Sequence, residues 1–389
     1  MFLPPPVPVR VTATAADTAE APVTLIVTAK EWGKSRPSVP KGALDRVCQL
    51  ERVGGGKIRV TFVAPALKKG ESRLVSLTTA KKSVVEVKPN GKSAEIFVNG
   101  ALFTRYDVTT GPTKPYLYPI QAFGKSLTRR WPLDESDPTE AKDHPHHRGL
   151  WFTHGEMNGI DFWTESSKDP KHQIGKTVNT GFGELISGPV QGRLEAKTDW
   201  NAPDGKPIAK DTRSVVVTPL PDGGILLDFS VTVTPVGGPL LWGDTKEGTF
   251  AMRVPESMKA DKPGAGKLVN AEGLVDAALW GKPSPWNDYS GLVGGQALGM
   301  AIFDSPKNPR FPTTWHSRTY GLFAANPFGL HDFDPAKKTD RHAGDLVTPE
   351  GKSVTFAYRV YFHKGDAKSA NVANQYAAWA DPPTVALEG

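Results

Sequence analysis

Short apolar or alternating runs, each closed by glycine, proline or a polar turn, recur along almost the whole chain and leave little room for helices. Such runs occupy residues 24–28, 57–63, 72–77, 84–87, 94–98, 102–106, 213–218, 224–234, 248–254, 298–303 and 353–362. A side-chain period of two, broken by turn residues every few positions, specifies strands. The 39 glycines and 35 prolines supply the turns. Asn99-Gly100, between two runs, is a two-residue hairpin signal. Helical spacing is found mainly at 367–380, ahead of Asp381-Pro382-Pro383. The expectation is an all-β protein with a flexible N-terminal arm at 1–21, a small β-sandwich module at 22–80 and a large β domain at 84–389.

Several function classes drop out. The net charge of +6 comes from 47 basic and 41 acidic residues. The basic ones are scattered pairs such as Lys68-Lys69 and Arg129-Arg130. No basic helix or basic–aromatic ladder forms, so nucleic acid is not an expected partner. Cys48 is the only cysteine, which excludes an internal disulfide and a cysteine-rich zinc site. No apolar run approaches the roughly 20 residues of a membrane helix. The glycine run 54–56 before Lys57 is a turn and not a phosphate loop, because Glu51 and Ile58 stand where that motif needs Gly and Ser/Thr. Residues 1–21 lack the continuous apolar core of a secretion signal, so the chain is expected to be cytoplasmic, or periplasmic or secreted if a leader has been removed.

Chemistry concentrates at Asp143-His144-Pro145-His146-His147-Arg148-Gly149-Leu150-Trp151-Phe152-Thr153-His154, where four of the nine histidines fall within eleven positions. Imidazole titrates near neutrality and is the commonest metal ligand, so the cluster points to proton transfer, metal binding or recognition of a polar substrate. If 149–156 is a strand, Leu150, Phe152 and His154 share one face and Trp151 and Thr153 the other. Residues 143–148 then form the loop delivering that strand, with His144 and His146 on one side and His147 on the other. The bland alternative is a polar corner in which Asp143 pairs with Arg148.

Three later stretches mix polar, glycine and aromatic residues in the same way. Residues 243–253 place Glu247 and Arg253 on one strand face. Residues 280–289 carry Trp280, Trp286, Asp288 and Tyr289, and residues 315–328 carry His316, Arg318, Tyr320 and Asn326. Together they form a sugar-site inventory of aromatic faces, hydroxyl-binding polar groups and proton carriers.

The run 143–151, then Asn158-Gly159-x-Asp161-Phe162-Trp163, and later Tyr320-Gly321-Leu322-Phe323-Ala324-Ala325-Asn326-Pro327-Phe328-Gly329, resembles the family catalogued as methane oxygenase PmoA, or DUF6807, over about residues 84–365. That catalogue name implies copper-dependent methane oxidation in a membrane-spanning subunit. No apolar run here reaches spanning length, so that activity is not expected of this chain. A remoter likeness of layout, from Pro115-Tyr116-Leu117-Tyr118-Pro119 to the histidine–glycine segment, is similar to galactose-mutarotase-like proteins. It implies a large antiparallel β-supersandwich and a sugar substrate handled by a histidine and a carboxylate.

The leading expectation is therefore a carbohydrate-active enzyme of epimerase, lyase or hydrolase type. His146 or His154 serves as general acid/base, His316 as the second such group and Glu247 as carboxylate partner. Arg148 and Arg253 hold an oxyanion or carboxylate, and Trp151 and Trp286 shape the pocket. His144, His147, Asn158, Asp288, Tyr320 and Asn326 complete the substrate contacts. A divalent metal on His144, His146 and His154, with His316 or Glu247, is the second expectation. A non-catalytic carbohydrate-binding protein is the third.

Overall fold

The computed structural model describes residues 6–34, 42–261 and 266–388. Nearly all regular structure is β, arranged in three large sheets and one small strand pair. Two of the large sheets, of nine and eight strands, face each other. The nine-stranded sheet contains Leu150–His154 between Tyr116–Ala122 and Gly248–Arg253, with Leu322–Asn326 beyond. The eight-stranded sheet is centred on Ile225–Pro235, Val354–Lys364 and Gln296–Asp304.

Alternation sorts the side chains. Leu150 and Phe152, with Phe250, Met252 and Phe323 on neighbouring strands, point into the inter-sheet core. There Phe152 lies 6.0 Å from Phe229, and Phe250 stacks on Tyr358 at 4.7 Å. The residues between them, Trp151, Ala251, Leu322 and Ala324, belong to a separate cluster on the opposite face, with Tyr116 and Trp163. Small residues at 251 and 324 leave room there for the two indoles. The outer face of the eight-stranded sheet packs against the helix Val372–Ala380 through Phe303, Tyr361 and Val372. That helix starts later than its spacing suggests, because the preceding Asp366 and Ser369 close a reciprocally bonded turn.

The chain ends depart from expectation. Residues 7–12 are not a loose arm. Val7–Thr12 pairs with Ser72–Thr79 on one side and Thr384–Leu387 on the other, with Val7, Val9 and Val11 buried. Residues 1–5 lie outside the described part. The N-terminal unit is a single six-stranded sheet rather than two faced sheets. Its edge strands Ala21–Thr28 and Thr384–Leu387 approach each other, so it curls round its own core of Val9, Val60, Phe62, Val75 and Leu77. The C-terminal strand therefore belongs to the N-terminal unit. Among the described residues no helix is long and apolar enough to cross a membrane.

Candidate functional site

The histidine loop lies on the Trp151 face of the nine-stranded sheet. His144 has φ +47°, and the His147 amide closes a turn by donating to its carbonyl at 3.0 Å. Arg129, 1% exposed, holds this loop from beneath. Its guanidinium donates to the carbonyls of Ala141, Asp143, His144 and His147 and to the Asp143 carboxylate. Gly149 then turns the chain into the strand at φ +55°, where a Cβ would sit 2.2 Å from the Leu117 carbonyl oxygen.

Asp143 does not pair with Arg148. Its carboxylate accepts from Arg129 at 2.6 Å and from Arg253 at 2.9 Å. These guanidiniums hold its proton affinity below the ordinary carboxylate range, outweighing the larger effect of burial, which acts the other way. Arg148 is instead bound in bidentate fashion by Glu165, at 2.8 Å to each oxygen, and the buried Lys114 also reaches Glu165. Lys114 donates to the Trp163 carbonyl at 2.8 Å, and burial lowers its pKa to about 8. Both expected oxyanion holders, Arg148 and Arg253, are therefore committed to protein partners.

The rings form one continuous stack. His144 lies between His147 (4.7 Å, 9°) and Tyr320 (5.3 Å, 6°), and His147 stacks on Trp151 at 5.3 Å. His144 and His147 thus share a side, contrary to the alternation expected for the loop, because the turn at 144–147 is not extended backbone. Arg253 lies 4.7 Å over the Tyr320 ring. His146 stands edge-on to His147 at 4.5 Å. Among the described residues neither nitrogen of its half-buried ring has a hydrogen-bond partner. Burial, then the charges of Lys114, His144, Arg129 and Arg148, lower its pKa to about 3.

Two histidines have their tautomers assigned by donors that can only donate. Arg253 donates to His147 Nδ1 at 3.2 Å, and Trp280 donates to His316 Nδ1 at 3.1 Å. Each neutral ring therefore carries its proton on Nε2, which has no protein acceptor among the described residues. Burial keeps both neutral, pushing His147 well down and His316 to about 3. Glu247, on the loop before Gly248–Arg253, faces the same region and acts electrostatically on Tyr320. Burial raises its carboxyl pKa, and Lys246 lies 3.6 Å away.

Other expected site residues lie elsewhere. His154 points into the core side of its strand, against Phe328 (4.4 Å) and Trp242, and is bonded to the Gly243 carbonyl. It cannot join a shared ligand set with His144 and His146. Those two and His147 stack and abut instead of converging, and no metal-binding group of three His, Cys, Asp or Glu occurs among the described residues. Trp286 packs under the C-terminal helix. Asp288 is buried in the other sheet, bound to His363 at 2.6 Å. Asn326 spends its amide on the carbonyls of Thr245 and Lys246 and its oxygen on the Phe328 amide. Asn158 is a turn residue at φ +51° bonded to Leu241 and Pro239. Sequence reasoning missed Arg129, Lys114 and Glu165. The available signal was a Thr-Arg pair and a lysine flanked by Pro and Thr, neither of which reports burial.

A cavity of about 1010 Å³ lies beside the cluster, lined by Tyr118, Arg130, Asp134, Glu140 and Glu256 among others. Its size does not outweigh the chemistry. Glu140 and Asp134 are occupied by backbone amides of their own loop, whereas the histidine cluster has unspent donors and acceptors.

A family model described as a family of unknown function (DUF6807) matches residues 93–378, which include every residue of the stack. No curated protein matches the chain.

Proposed function

The chain belongs to the DUF6807 family, and within it we propose a carbohydrate-active enzyme, of epimerase, lyase or hydrolase type, that moves a proton at His146. The observation supporting this is the contrast among the neighbouring imidazoles. His147 and His316 are held as neutral Nε2–H donors, while His146 has both nitrogens uncommitted. A neutral imidazole fixed as a donor stabilises negative charge developing on a substrate oxygen, and an uncommitted one takes the proton. Trp280, half-buried at the edge of this region, offers an aromatic ring of the kind that receives the C–H face of a pyranose. Glu247, its proton affinity raised by burial, is the carboxylate partner.

The test is a thermal-shift screen of monosaccharides, oligosaccharides and sugar acids, with and without divalent metals, followed by turnover of whichever sugar stabilises the protein. Substituting His146→Gln is expected to lower turnover about 10²–10⁴-fold. Unchanged turnover, or stabilisation by no sugar, rejects the reading. Stabilisation by a metal alone favours a metal-dependent enzyme instead.

A further inference from the structure

The Arg318 guanidinium is left unspent by its surroundings. Arg129, Arg148 and Arg253 are each bound to a carboxylate, Lys114 bonds Glu165 and Lys246 pairs with Glu247. Among the described residues the Arg318 side chain makes no hydrogen bond and no ion pair. Its guanidinium sits 5.5 Å from the Trp280 ring and 5.7 Å from the Tyr320 ring. Those faces hold the half-buried group in place without using any of its five N–H donors. The backbone beneath is fixed, because Arg318 N donates to the Leu322 carbonyl at 2.8 Å and Gly321 N donates back to the Arg318 carbonyl at 3.0 Å. Two residues away, His316 carries its proton on Nε2, for the reason given above. The same Trp280 thus contacts both groups, through its N–H to His316 and its ring to Arg318.

We propose that Arg318 and the His316 Nε2–H form an anion subsite on the Trp280–Tyr320 rim, and that the carbohydrate taken by this site is acidic, a uronate or related sugar carboxylate. The proposal rests on the carbohydrate reading above and names its substrate class. A planar guanidinium matches a carboxylate through two parallel hydrogen bonds, which a lysine cannot reproduce. An arriving carboxylate gives the Arg318 guanidinium the partner it lacks.

The experiment is titration calorimetry of the full chain and its Arg318→Gln and Arg318→Lys variants. The probes are glucose, galactose, glucuronate, galacturonate, glucose 6-phosphate, inorganic phosphate and succinate. The expected result is a uronate bound at least tenfold tighter than its parent hexose. R318Q should erase that advantage while leaving hexose affinity unchanged, and R318K should retain part of it. Equal affinity for hexose and uronate, or equal weakening of both by R318Q, overturns the subsite and leaves the carbohydrate reading standing. Arg318-dependent binding of succinate with no sugar bound supports the subsite and removes the carbohydrate reading. A preference for glucose 6-phosphate over both uronates overturns the carboxylate assignment. Binding of none of the probes overturns both.

Discussion

Arg253 joins three parts of the site, and its removal tests whether they are coupled. It is fully buried, bonds Asp143 and His147 Nδ1, and covers Tyr320. Taking away one member of a buried pair costs more than the pair itself contributes, because the partner stays desolvated. Asp143 is two-fifths exposed and can recover some water, which reduces that cost. Arg253→Leu is therefore expected to destabilise the protein by about 2–3 kcal/mol, below the full figure for a sealed pair. It should also free His147 Nδ1 and unfix its tautomer. Denaturant unfolding measures the first effect. Histidine ring ¹⁵N shifts, which separate protonated from lone-pair nitrogens, measure the second. An Arg253→Leu protein in which His147 keeps its Nε2–H form would show that the ring is set by something else.

At the scale of elements, the passage from loop to strand depends on one glycine. Gly149 combines a left-handed φ with a Cβ position inside the Leu117 carbonyl, so Gly149→Ala meets both strain and a backbone clash. A loss on the order of 3 kcal/mol or more is expected. Gly159 has the same sign of φ but open space around its Cβ, so Gly159→Ala should cost only about 1 kcal/mol. Equal losses in the two variants would show that the clash at Gly149 relaxes. The strand that follows was legible in the sequence because the alternation of Leu150, Trp151, Phe152, Thr153 and His154 is local information. The same alternation correctly grouped His154 with Leu150 and Phe152. What it could not show was that this face is the interior of a sandwich, which depends on Phe229 and Phe356 about 75 and 200 positions later. Trp286 and Asp288 were misplaced for the same reason, since their strand belongs to the opposing sheet. The roles of Arg129, Lys114 and Glu165 also arise from burial and long-range partners. The strand Val7–Thr12 was hidden because its neighbours lie at 72–77 and 384–387.

For the whole molecule, burying neutral histidines has a consequence in acid. His154 is held at about 4, His146 and His316 at about 3, and His147 well below its ordinary value, each mainly by burial. An unfolded histidine takes its proton near 6.5. Between about pH 6.5 and 4 the unfolded chain therefore binds protons that the native chain refuses, and stability falls as pH falls. Each such group contributes a slope approaching 1.4 kcal/mol per pH unit. Asp304 opposes them. Burial raises it to about 7 despite the donors Asn308 and Thr313, so over the same window it is protonated in the native state and ionised in the unfolded one. Its contribution is lost as pH rises, so it offsets one histidine. With four such histidines against one carboxyl, the net expectation is a decline approaching about 4 kcal/mol per pH unit near pH 5. Urea unfolding at pH 7, 6, 5 and 4.5 measures it directly. Removing the opposing group by Asp304→Asn should steepen the decline. Stability that is flat from pH 7 to 5 in the wild-type protein would mean that these histidines accept protons in place, and so that their surroundings open to water more readily than the packing implies.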